Sequence, residues 1–281
     1  MSGRPKKRKR ATGAASWDPD FLERSPMLAP LREHAHSLRR HADWPDLPVL
    51  QALVTARNVV THGDRPLVLV RPVGDSYEGR IHRLGELQVR ERDWHDLFNV
   101  LAWLTYPRAK RELNHRHCVE RETDALVRGP ARDALTLFDE SGAIVASSDA
   151  ALLAALREFR WKTIFWQRRD DARDAMRFLP FGHALCEKAL DPYVGLTAHA
   201  LLVQLEPEAL RAPLPALTEA LDIAVAERIR NARSFTSPQT LTPLPVLGVP
   251  GWWPDNENEA FYDNEGYFRP GRGRQRSGRN E

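Results

Sequence analysis

Cysteine is nearly absent from the chain: Cys118 and Cys186 are the only two in 281 residues. That is too few for a disulfide framework and points to a reducing cytoplasm. Long hydrophobic runs are missing too. The longest clean one, AALLAAL at 150–156, falls far short of the roughly 18 residues a bilayer-spanning helix needs. The start, MSGRPKKRKRATGAASWDPD, is positive, but no apolar stretch follows it, so it does not read as a secretory signal. There is no GxxxxGKS/T phosphate loop, no GxGxxG after a strand and no GxSxG elbow. Those absences tell against the usual ATPase, dinucleotide-enzyme and serine-hydrolase readings, and no nucleotide-cofactor motif remains.

Lysine is also scarce. Arginine outnumbers it 35 to 6, and beyond the first ten residues only Lys110, Lys162 and Lys188 occur. Such a bias reflects a GC-rich genome and suggests a bacterium, where PKKRKR has no use as a nuclear address. The formal charge of +3 conceals an acidic body. Residues 1–10 hold six basic groups and no acid, and residues 269–281 hold five against Glu281. Without those ends, 30 basic face 37 acidic residues, a balance of −7. We therefore expect basic disordered tails at 1–14 and 271–281 flanking one globular domain at 15–270. Nucleic-acid contact, if any, is expected to be weak and to run through residues 1–10 and 271–281.

The body reads as a mixed α/β fold, a small central sheet surrounded by helices. LPVLQALVTARNVV (47–60) has apolar residues at helical spacing. PLVLVRP (66–72), bounded by prolines, reads as an edge strand, and the Gly-broken YEGRIHRLGELQVR (77–90) as a loop or weak hairpin. Asp93 is a helix N-cap for WHDLFNVLAWLT, and Pro107 ends that helix or opens the next. DALTLFDESGAIVASSD predicts a β-hairpin turning at Asp-Glu-Ser-Gly, with Gly142 at positive φ. One or two helices follow, then RFLPF as a strand, FGHALCEK as a helix, TAHALLVQLE as a strand and PALTEALDIAVAERIRNA as an amphipathic helix. From 233 no regular element is expected. That stretch carries Trp252, Trp253, Phe261, Tyr262, Tyr267 and Phe268, and is read as an arm packed over the body.

Four blocks in this order, FNVLAWLTYPRAKRELNHRH, RDALTLFDESGAIVAS, FGHALCEK and PLPVLGVPGW, resemble the proteobacterial domain-of-unknown-function 3025 family. The resemblance spans roughly residues 15–270. It implies a bacterial origin and brings no activity, cofactor or catalytic residue.

The residues themselves suggest chemistry. His183 and Glu187 lie one helical turn apart where a strand enters a helix through Gly182, a place where ligands gather in α/β folds. His183 is read as a general base and Glu187 as the carboxylate that orients it. Asn99, Arg108, Asn114 and Asp139 are the candidate substrate contacts, with Lys110 beside Arg108 suited to an anion. His117, Cys118, His183 and Cys186 form the candidate set for a divalent metal. Asp139 and Glu140 are read as acid–base carboxylates or cation ligands. The expected function is a hydrolase or transferase acting on a small anionic substrate. The alternative is a non-catalytic protein that touches RNA or ribosomes through its basic tails.

Overall fold

The computed structural model describes residues 16–74, 76–123 and 129–271. The basic tails predicted at 1–14 and 271–281 lie outside the described residues, Gly271 apart. The fold is mixed α/β, as the sequence indicates. A four-stranded sheet has the order β4-β3-β5-β6, formed by β3 (Gly142–Ser147), β4 (Met176–Pro180), β5 (Thr197–Gln204) and β6 (Thr242–Pro245). β3 runs antiparallel to β4 and parallel to β5, and β5 is antiparallel to β6. Every residue of β3 is buried, as befits a strand covered on both faces. Ala143 and Val145 join one hydrophobic cluster while Ile144 and Ala146 join the other, the alternation a pleated strand imposes. A second, two-stranded sheet pairs β1 (Val68–Val70) in parallel with β2 (Glu86–Gln88).

The helices that shape the site are α1 (Leu47–Ala56), α2 (Tyr77–Leu84), α3 (Trp94–Thr105), α4 (Pro107–Thr123) and α5 (Pro130–Ser141). After α6 (Ala150–Arg157) and α7 (Arg169–Ala175) come α8 (His183–Lys188) and α9 (Leu214–Arg230). Asp93 caps α3 as expected, its side chain accepting from the backbone N–H of Asp96 at 3.1 Å. Pro107 opens α4, where its missing N–H costs nothing.

Three expectations are corrected. DALTLFDES is the helix α5, with Ala134, Leu135 and Phe138 buried along one side, and no hairpin forms. The chain passes from Ser141 straight into β3, and Gly142 is extended at φ −70°. Glycine is needed there for space: a Cβ would stand 2.2 Å from the carbonyl oxygen of Phe138. YEGRIHRL is helix and not loop. It ends at Gly85, which takes φ +75°, and ELQ then forms β2. The segment after 233 does contain a strand, β6. Its Pro243 and Pro245 are tolerated because β6 is the edge of the sheet, bonded on one side only.

The C-terminal arm packs on the first cluster. Tyr262, Tyr267 and Phe268 are buried, and Trp252, Trp253 and Phe261 lean against the same core. Tyr267 Oη donates to the carbonyl of Leu196 at 2.7 Å and accepts from the N–H of Leu247 at 2.9 Å. No helix among the described residues is long and apolar enough to cross a membrane.

Candidate functional site

The site exists because two glycines let three elements meet. The N–H groups of Phe181 and Gly182 both donate to the Gly142 carbonyl at 2.9 Å. A Cβ on Gly182 would lie 2.5 Å from the backbone of Glu140. The start of α8 is thus pressed against the end of α5, which sets His183 beside Asp139 and Glu140. Helix α3 packs on α8 and contributes His95 from its first turn, with Asn99 one turn later on the same face.

These groups line a cleft of about 380 Å³ together with Pro72, Tyr77, Glu78, Gln88, Arg90 and Asp96. At its floor the Nε2 atoms of His95 and His183 are 3.0 Å apart, the rings nearly perpendicular. His95 Nδ1 lies 3.2 Å from Glu187 Oε2. His183 is only 4% exposed; its Nδ1 is shut off from water and lies 4.0 Å from the Asp139 carboxylate, while the Asp139 backbone accepts from the ring. Glu140 Oε2 is 3.7 Å from His183 Nε2. His95, Glu140 and His183 thus bring one ligand atom each within 4.8 Å of one another.

The wall is a chain of paired polar groups. Lys110 Nζ binds the Asp139 carboxylate and donates to Asn99 Oδ1 at 3.0 Å; Asn99 in turn donates to the Tyr77 hydroxyl. Asn114 stands behind Glu78, donating to its carboxylate and, at 3.1 Å, to its backbone carbonyl. Arg90 is held by both oxygens of Asp96 at 2.8 Å. Both basic side chains at the wall, Arg90 and Lys110, are therefore already engaged by carboxylates.

Protonation follows from burial and these partners. Burial, reinforced by the charge of Asp139, pushes Glu78 up to about 7. Burial likewise raises Glu140, again with Asp139 adding to it. Burial also opposes charge on Asp139, but Lys110 and His183 outweigh it and hold that carboxyl below its ordinary value. Loss of water lowers His183 to about 4. His95 is raised, because its hydrogen bond to Glu187 exceeds the cost of partial burial. At neutral pH the buried ring is neutral and its neighbour is the more basic of the two.

The sequence-predicted residues divide. His183, Asn99 and Asp139 line the cleft. Glu187 is adjacent, but its hydrogen bond goes to His95 and not to His183. Asn114 supports Glu78 from behind. Arg108 is elsewhere: it reaches Glu219 at 2.5 Å and Asp222 at 3.4 Å on α9, because its side of α4 packs there. Of the metal set His117, Cys118, His183 and Cys186, His183 alone belongs to the converging group. Cys186 is buried in the core, and burial drives its thiol up to about 12. Cys118 Sγ points to the carbonyl of Glu78 at 3.6 Å, and His117 is buried. Sequence reasoning missed His95, Tyr77 and Glu78. The readable signal was a polar row, His95 and Asn99, on a helix otherwise apolar from Leu97 to Leu104; buried polar groups on such a face need partners.

A family model described as "Protein of unknown function (DUF3025)" matches residues 69–272. It begins later than the 15–270 resemblance and contains every residue that lines the cleft. No curated protein and no solved structure matches the chain.

Proposed function

The chain belongs to the DUF3025 family, and for it we propose a hydrolase whose active centre is this cleft, with the nucleophile generated at the paired Nε2 atoms of His95 and His183. The observation that carries the reading is that pair, 3.0 Å apart at the floor of an open cleft. Glu187 fixes the tautomer of His95 by accepting from its Nδ1–H, so its Nε2 faces the cleft as a bare lone pair. Tyr77, Asn99 and Asp139, the last two held by the buried Lys110, form a rigid wall against which a substrate is oriented.

In the reaction a water held at the paired Nε2 atoms loses a proton to a carboxylate of the same cleft, for which Glu78 is suited because its raised pKa lets it hold a proton near neutrality. The resulting hydroxide oxygen forms a bond to an acyl carbon or to phosphorus. The bond to the leaving group breaks, that group takes the electron pair, and the proton returns to it. A small anionic substrate remains the favoured class only with help, because the acidic walls repel it and Arg90 and Lys110 are occupied.

The test is a panel of chromogenic carboxylic and phosphate esters offered to the full chain and to His95→Gln. Turnover that falls at least about a hundredfold in the variant, with an unchanged melting temperature, is expected. Equal rates in both proteins, or no turnover of any ester, would overturn the reading.

A further inference from the structure

We infer that His95, His183 and Glu140 hold a divalent first-row transition-metal ion. The inference takes its chemistry from the hydrolase reading and its site from ring geometry alone. Each imidazole has two nitrogens, and the outer one of each faces a carboxylate. His95 Nδ1 meets Glu187 at 3.2 Å, and a carboxylate accepts, so the hydrogen is on Nδ1. His183 Nδ1 is sealed from water beside Asp139, and the Asp139 backbone accepts from the ring, which places the hydrogen on that outer side. With both hydrogens facing outward, two bare lone pairs confront each other across 3.0 Å. Something positive must lie between them.

A single proton would satisfy the two nitrogens but would leave Glu140 without a role. An ion engages all three. With metal–nitrogen bonds of about 2.0–2.1 Å, nitrogens 3.0 Å apart subtend roughly 91–97° at the metal. That angle suits an octahedral ion with two histidines and one carboxylate on one face, the other positions open to the cleft. Glu140 has 44% of its side chain exposed, so it is free to swing onto the ion. Carboxylates behind the metal-bound histidines, Glu187 and Asp139 here, are the usual outer support that orients the rings and raises their basicity. The donor set is nitrogen and oxygen, which fits Zn²⁺, Fe²⁺, Mn²⁺ or Co²⁺ and not a thiolate-seeking ion.

The ion also answers the charge problem. It places a positive centre on the floor of an acidic cleft, so a carboxylate or phosphate group gains an attractive anchor where Arg90 and Lys110 are already paired. A water in an open position then loses its proton near neutral pH.

The experiment uses tag-free full chain, stripped with chelator and titrated with Co²⁺ and, separately, Zn²⁺. One ion per chain is expected, with visible ligand-field bands for Co²⁺. Affinity should fall at least about tenfold in His95→Gln and in Glu140→Gln. Because His183 is buried and His183→Gln could fail to fold, the wild type supplies a second readout: Zn²⁺ should shift the ring NMR signals of His95 and His183 and leave in place those of His62 and His82, two histidines that do not line the cleft. No bound ion, or an ion kept at full affinity by both variants, overturns the inference. Ester hydrolysis that persists in chelator-stripped protein removes the metal and leaves the hydrolase reading standing. An ion bound by these residues without turnover of any ester does the reverse.

Discussion

Glu187 hydrogen-bonds His95, 92 positions away, at 3.2 Å, and leaves His183, one turn back on its own helix, to Asp139. The i,i+4 spacing made the opposite pairing look natural. His183 is the first residue of α8 and is turned towards the end of α5, so its nearest carboxylates come from there. Replacing Glu187 by Gln keeps an oxygen to accept from His95 Nδ1–H but removes the charge. The variant should fold normally, bind Co²⁺ about ten times more weakly and show a lower titration midpoint for His95 by NMR. An unchanged midpoint would remove Glu187 from the support of the site.

Glu78 makes stability depend on pH in a direction opposite to most carboxylates. Its folded value of about 7 lies above the ordinary 4.5, so the native state binds the proton more tightly than the unfolded chain does. Stability is therefore greatest below 4.5 on this account and declines as pH rises through 7. Glu78→Gln removes the dependence while keeping an acceptor for Asn114. In urea denaturation the variant should exceed the wild type by about 3 kcal/mol at pH 8 and match it near pH 4.5. The same gain at both pH values would mean that burying the ion is not the cause.

What was legible in the sequence was local. Asp93 as a cap, Pro107 as a helix opener and the helical spacing along α9 are all written within one or two turns of chain. DESG was misread because an acidic pair followed by Gly looks like a turn. The reason for Gly142 lies in the carbonyl of Phe138, whose closeness depends on how α5 meets β3. The site followed the same division. His183 and Asp139 were recognisable as chemistry, but His95 is 88 positions from His183 and enters only when α3 packs on α8. Arg108 has the right chemistry for an anion. Which helix faces its side of α4 is a tertiary matter, and α9 answers with Glu219 and Asp222.

Lys110 and Asp139 are a buried pair, with side chains 3% and 13% exposed, and Asn99 and the Trp103 ring, 5.7 Å from Nζ, surround the ammonium. Lys110→Met strands the Asp139 charge and should cost about 3–5 kcal/mol at neutral pH. The loss should shrink at acid pH, because Asp139, no longer held low by Lys110, takes up a proton. The double variant Lys110→Met/Asp139→Leu should recover much of it, giving a coupling well above the error of a chemical-denaturation cycle. Additive single losses would show that the two groups are paired in geometry only.

Tyr267 ties the arm to the sheet through one oxygen. That hydroxyl donates to Leu196 at the start of β5 and accepts from Leu247 just after β6, and burial raises its pKa beyond its ordinary value. Tyr267→Phe keeps the ring packed but leaves the buried Leu247 N–H unpaired and the Leu196 carbonyl with only the Val246 N–H at 3.3 Å, at a cost of roughly 1–3 kcal/mol. Gly248→Ala attacks the same region differently, since a Cβ there would stand 2.7 Å from the Phe268 ring and 3.0 Å from the Phe165 ring. Both variants should lower the melting temperature while keeping a single transition, because the arm shares its core with the sheet it covers. If instead Tyr267→Phe gave a separate low-temperature transition, with arm tryptophan fluorescence changing before the far-UV signal, the arm would be a unit that docks on a body already folded.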